Sequence, residues 1–214
     1  MILDLASIPI FVVNCADRPD RLESISRQLD EFGLTFQVAH GISCQPGYLG
    51  CALSHLRAIS LAGLRPPFLV LEDDCRLTPQ FQCRLEVPDD ADAFYLGISH
   101  WGMLPDDPDQ GVMHATVATC HDSRFLRVHN MLSSHAIVYV SERFHLAARQ
   151  VTLQYLLNAR PFDIGLASLQ RDHLVLTPST PFVYQDEEFG GAEMATRPPL
   201  SPREPSEVAQ LLRS

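Results

Sequence analysis

The 214-residue chain is long enough to bury the core of one large α/β domain, and its 46% hydrophobic content is ordinary for a globular fold. Its net charge is −10 and all 16 basic residues are arginines, which excludes a protein that grips a nucleic-acid backbone through a basic face. No apolar run reaches the length of a bilayer span, and the segment from Met1 to Asn14 lacks the basic opening of a secretory signal, so no transmembrane segment and a cytoplasmic location are expected.

Ile8 to Asn14 is a short apolar run of the kind a buried strand shows. Pro19 then suits the first position of a helix, with Leu22, Ile25, Leu29 and Phe32 at helical spacing and Gly33 as the stop. Thr35 to Ala39 reads as a second strand, which makes the opening a strand–helix–strand unit. Leu49 to Ala62 follows as a helix, Pro66-Pro67 breaks it, and Phe68 to Leu71 is the next strand. Further on, Ala93 to Ile98 is predicted as a strand, Pro105 to Gln110 as an acidic loop, and Val112 to Ala118 with Phe125 to Val128 as a hairpin or flanking strands. Ala136 to Val140 is another strand, capped by Ser141 ahead of a helix over 142–157. A short helix or turn over Phe162 to Leu169 and a strand over His173 to Leu176 come last. The pattern predicts an α/β fold with a mixed central sheet in one domain, residues 1–190. The Pro-, Arg- and Ser-rich tail, 191–214, is expected to be mobile or to dock on a partner.

The six cysteines form no C-x-x-C pair and no disulfide framework, so reduced thiols are expected. The histidines at 100, 114, 121, 129 and 135 match no zinc-ligand spacing.

The most informative stretch is Leu69-Val70-Leu71-Glu72-Asp73-Asp74, an apolar run ending in three consecutive acids. Side chains alternate along a strand, so three adjacent acids cannot all be buried in a sheet, and burying one unpaired carboxylate is costly. A central strand whose carboxyl end delivers acids into a crevice satisfies both conditions, and ligands of open α/β sheets bind there. Acids so placed suit a divalent cation and, through it, a diphosphate. The other reading is a strand that runs into a solvated acidic turn.

Three blocks occur in order: Val13-Asn14 with Arg18-Pro19-Asp20-Arg21; Gly50-Cys51-Ala52-Leu53-Ser54-His55-Leu56-Arg57; and Leu69 to Asp74. Together they resemble glycosyltransferase family 25, which holds bacterial lipooligosaccharide galactosyltransferases and collagen galactosyltransferases. Tyr95-Leu96-Gly97, Ala136 to Ser141 and Pro161-Phe162-Asp163 are similar to later family segments, and the resemblance covers most of residues 8 to 187. It implies a GT-A-like fold and transfer of galactose or a related hexose from a UDP-sugar, inverting and assisted by Mn²⁺ or Mg²⁺, as in lipopolysaccharide biosynthesis. The acceptor is a hydroxyl of a glycan, a lipid-linked sugar or a protein. The chain departs from the family at Tyr48-Leu49, where an acid usually stands, and in the compact stretch from Gly41 to Gly47.

The resemblance implies that Glu72 and Asp73 orient the ribose or sugar while Asp74 reaches the metal. Asn14 and Arg21, with Arg18, follow the first strand where a nucleotide would lie; an arginine there contacts phosphate or stacks on the base, or else is a solvated first-turn residue. Ser54, His55 and Arg57 sit in the second block. Arg57 is the candidate to offset diphosphate charge, and His55 is either a donor-site group or a packed core histidine. Asp163 is the candidate general base for the acceptor hydroxyl, or an N-terminal cap of its short helix. Asp186, in the acidic segment Gln185 to Glu188, is a second candidate metal ligand or part of a solvated run. Trp101 either stacks on a sugar or packs in the core. Two other functions fit the same residues: a metal-dependent hydrolase, and a non-catalytic nucleotide-, sugar- or protein-binding module.

Overall fold

The computed structural model describes residues 1–63, 65–103, 114–189 and 199–211. Eight strands make the central sheet: β1 (Ile10–Asn14), β2 (Gln37–His40), β3 (Phe68–Glu72), β4 (Ala93–Tyr95), β5 (Ala118–Cys120), β6 (Phe125–Val128), β7 (Ala136–Tyr139) and β8 (Val175–Pro178). Their order is β5-β6-β8-β4-β7-β3-β1-β2. β1 runs parallel to both β2 and β3, which is the Rossmann-like half of the sheet. β7 is inserted antiparallel between β3 and β4, and β8 lies parallel to β4. The helices are α1 (Pro19–Glu31), α2 (Gly47–Ala62), α3 (Glu142–Leu157), α4 (Phe162–Leu169) and α5 (Pro205–Leu211).

Strand alternation divides the core between the two faces. Phe11, Val13, Phe68 and Val70 pack with α2, α3 and α4, while Ile10, Val12, Leu69 and Leu71 pack with Ile25 and Leu29 of α1. Each fully buried aliphatic side chain contributes about 1.5–3 kcal/mol, so the two faces hold the sheet jointly. Pro19 opens α1 as its sequence predicts, and Ser141 caps α3 by accepting the Phe144 amide at 3.1 Å.

The differences from the predicted elements are local. The strand expected over 173–176 runs over Val175–Pro178. Of the stretch predicted from Val112, His114–Ala115 pairs with Trp101–Gly102, and β5 forms the hairpin with β6. The acidic loop over 105–110 lies outside the described residues, as does 191–198 of the tail. Residues 199–211 of the tail lie on the body of the chain: Leu200 and Val208 are buried, and the Arg203 amide bonds the Ala118 carbonyl of β5 at 2.8 Å. Two short ribbons have no sequence signal because each strand has three residues. They pair Ile2–Asp4 with Arg84–Glu86, and Cys75–Leu77 with Val183–Gln185. All six cysteines are free thiols.

Candidate active site

The acids of the Leu69 to Asp74 segment divide between the two faces of the sheet because side chains alternate along a strand. Glu72 follows Val70 onto the α2 face, and Asp73 follows Leu71 toward α1. A cavity of about 260 Å³ lies at the carboxyl ends of the parallel strands β1, β2 and β3. Its walls include Cys15, Arg18, Arg21, Cys51, Glu72, Asp73 and Asp74. That edge is where ligands of open α/β sheets bind.

On the α1 side the two aspartates share one arginine. Arg21, in the first turns of α1, donates through Nη1 to Asp73 Oδ1 at 3.2 Å and to Asp74 Oδ2 at 3.3 Å, and through Nη2 to the Phe189 carbonyl at 2.6 Å. The Phe189 ring stacks under the same guanidinium, 5.5 Å from its centroid. Asn14 completes the pair by donating to Asp73 Oδ2 at 2.7 Å while holding the Arg18 carbonyl at 2.8 Å. One cation does not compensate two buried acids. Burial raises the Asp73 carboxyl against the opposing Asn14 and Arg21 bonds. Burial, reinforced by the Glu72 and Asp73 charges and only partly opposed by Arg21 and a Gln185 side-chain hydrogen bond, raises Asp74 to about 7. Asp74 Oδ1 is buried with no hydrogen-bond partner.

On the α2 side Glu72 is strongly held. Its Oε1 accepts from Ser134 Oγ at 2.7 Å and pairs with His55 Nε2 at 3.0 Å. Burial alone would raise this carboxyl, but the bond and charge of His55, with Ser134, outweigh it and bring it down to about 2. His55 is fully buried and rests on the Phe162 ring, with 4.9 Å between ring centroids. Ser134 reaches Glu72 because β7 runs antiparallel to β3, so the residues just before β7 lie beside the end of β3; the Glu72 amide bonds the His135 carbonyl at 2.8 Å. Gly97 leaves room for this turn: a Cβ there would sit 2.0 Å from His135 Nε2 and 2.7 Å from the Val183 carbonyl oxygen.

The remaining predicted residues occupy other roles. Ser54 is buried, donates to the Gly50 carbonyl at 2.6 Å and accepts the Ile42 amide at 2.8 Å, so it fastens the loop that forms one cavity wall. Gly50 is required at that closure, since a Cβ would lie 2.3 Å from the Ile42 oxygen. Arg57, expected at the diphosphate, is exposed outside the cavity wall and donates to the His40 carbonyl at 3.4 Å. Three helical positions from Ser54 turn it past the buried stripe. Asp186, expected beside Asp74 on a metal, has its carboxylate in an ion pair with Arg76; only its backbone amide meets Asp74, at the carbonyl, 2.7 Å away. Asp163 lies in the first turn of α4, accepts the Ile164 amide at 3.0 Å, and does not line the cavity. Burial and then the Glu72 charge raise its carboxyl, which increases its strength as a base. Trp101 is 39% exposed, away from the cavity wall. Sequence reasoning missed Ser134 and Cys51. Ser134 carries no local signal; Cys51 precedes His55 by one helical turn.

The chemistry of the Asp73–Asp74 pair fits a divalent cation. It carries a hard, buried, unpartnered oxygen, and burial raises both of its carboxyls.

No protein-family model and no curated protein matches the sequence. Among solved structures, a CTP:phosphocholine cytidylyltransferase from Streptococcus pneumoniae is similar with a TM-score of 0.41 and 9% identity, over 83% of this chain and 72% of that one.

Proposed function

We propose that this chain is a UDP-sugar-dependent hexosyltransferase on a GT-A-like fold, inverting and assisted by a divalent cation. The observation that carries this reading is the unpartnered Asp74 oxygen in a cavity at the carboxyl edge of the parallel strands. The resemblance of the three sequence blocks to glycosyltransferase family 25 supports it. Asp73 and Asp74 would hold Mn²⁺ or Mg²⁺, which when bound supplies charge to offset the departing diphosphate. Arg21 stands at the same acids, positioned to neutralise phosphate oxygens, and Arg18 lines the wall beside it. Asn14 and the Ser54-fastened loop fix the shape of the wall, so orientation of the donor is prepaid by packing. Asp163, in the first turn of α4 just outside the cavity wall, is the base of this reading for the proton of a glycan, lipid-linked or protein hydroxyl.

Thermal unfolding with UDP and UDP-galactose, with and without Mn²⁺, tests the donor site. A ligand at a hundredfold excess over Kd adds about 2.7 kcal/mol to the folded state. A Mn²⁺-dependent rise with UDP that disappears in Asp74→Asn is expected. No rise with any nucleotide and metal would refute the transferase reading and leave a binding module on this fold.

A further inference from the structure

Cys51 and His55 stand one turn apart on α2 and present their donor atoms to the same carboxylate at the end of β3. Cys51 Sγ is 4.0 Å and His55 Nε2 is 3.0 Å from Glu72 Oε1, and the three donor atoms all lie within 4.8 Å of one another. We infer that Cys51, His55 and Glu72 form a binding site for a borderline-soft dication of the Zn²⁺ class, distinct from the Asp73–Asp74 pair, with its fourth coordination position open to the cavity.

The chemistry of the donor set selects the metal. Thiolate, imidazole and carboxylate together suit Zn²⁺, whereas two aspartates offer only hard oxygens. Tetrahedral Zn²⁺ with bonds of 2.0–2.3 Å separates its donor atoms by roughly 3.3–3.7 Å; the two printed separations, 3.0 and 4.0 Å, lie on either side of that range. Three protein ligands leave one position free, as in sites that bind water or a substrate oxygen. Cys51 and Glu72 both line the cavity, so that position faces it. On binding, the Cys51 thiol and the His55 Nε2 each release a proton to solvent, leaving a neutral imidazole that keeps its proton on Nδ1. Thiolate and carboxylate then balance the dication, leaving no net charge at a largely buried place. Ser134 Oγ, 2.7 Å from Glu72 Oε1, would orient the carboxylate from outside the ligand set. The Phe162 ring, not a hydrogen bond, orients the imidazole, because His55 Nδ1 has no partner.

Co²⁺ titration of chelator-stripped full-length protein, with no nucleotide present, tests the site. A thiolate-to-Co²⁺ charge-transfer band and tetrahedral visible bands that saturate at one equivalent are expected, with displacement of both by Zn²⁺. Cys51→Ser should abolish the thiolate band while far-UV circular dichroism stays unchanged, and Ser134→Ala should weaken binding about 10–100-fold. Asp74→Asn should leave the band intact while removing the Mn²⁺-dependent UDP effect, so the two sites fail separately. Should Cys51→Ser not fold, alkylation of the native protein decides: Zn²⁺ must shield Cys51 in peptide mapping. Absence of a thiolate band, its persistence in folded Cys51→Ser, or unshielded Cys51 would overturn the inference.

Discussion

Asp74 gives one carboxylate oxygen to Arg21 at 3.3 Å and keeps the other buried without a partner. Burial and the Glu72 charge raise its carboxyl to about 7 in the folded chain, against about 3.9 when unfolded. Between those values the folded state retains a proton that the unfolded state has released, so stability falls as pH rises from about 4 to about 7. Asp74→Asn cannot ionise and should flatten this slope. Urea unfolding of metal-free protein across that range checks it; an unchanged slope in the variant would assign the effect elsewhere.

Glu72 behaves in the opposite sense. Its carboxyl is brought down to about 2 by His55 and Ser134 against the cost of burial, so its contribution is complete above the unfolded value of about 4.3 and is lost as pH falls toward 2. Removing the histidine leaves a buried carboxylate uncompensated, and His55→Ala should cost about 3–5 kcal/mol. The double variant His55→Ala/Glu72→Gln should cost less than the sum of the two single changes, read from denaturant midpoints in a double-mutant cycle.

Arg21 competes with any metal for the same two acids. Arg21→Ala should lower stability by about 1.5–3 kcal/mol through lost charged hydrogen bonds, yet increase the thermal shift produced by Mn²⁺ alone. Differential scanning calorimetry with and without Mn²⁺ separates the effects. Equal shifts in variant and native protein would place the metal away from Asp73 and Asp74.

Gly97 tests the turn that supports Ser134. A methyl at this position meets the buried His135 ring at Nε2, 2.0 Å away, and a backbone oxygen at 2.7 Å. Gly97→Ala should destabilise by about 1–3 kcal/mol. Because His135 would carry Ser134 away with it, the low-pH contribution of Glu72 should shrink in the same variant, visible in its acid-unfolding curve.

The βαβ opening was legible because its signals are local: a short continuous apolar run, a 3.6-period stripe, and Pro19 at the first helical position. The delivery of Asp73 and Asp74 to a crevice followed from alternation and from the cost of burying charge. The α2 side was harder to read. Ser134 lies 62 residues beyond Glu72, and only the antiparallel insertion of β7 beside β3 brings them together. Arg57 was misplaced because three helical positions from a buried residue can already lie past the buried stripe. The partner of the Asp186 carboxylate could not be read from the sequence, because it is Arg76, 110 residues earlier. The Cys51–His55 pair has helical ligand spacing, but its third donor becomes apparent only once α2 packs on β3.

The closing segment has a bearing on solubility. β5 is the outer strand on its side of the sheet, and an outer strand with open backbone groups is a template for pairing with another chain. The Arg203 amide takes the Ala118 carbonyl, and Val208 of α5 is buried nearby, so this border is hemmed by the chain's own end. A shortened chain lacking 199–211 would keep every residue of the cavity wall yet present a bare strand, and its characteristic failure would be association with its own copies.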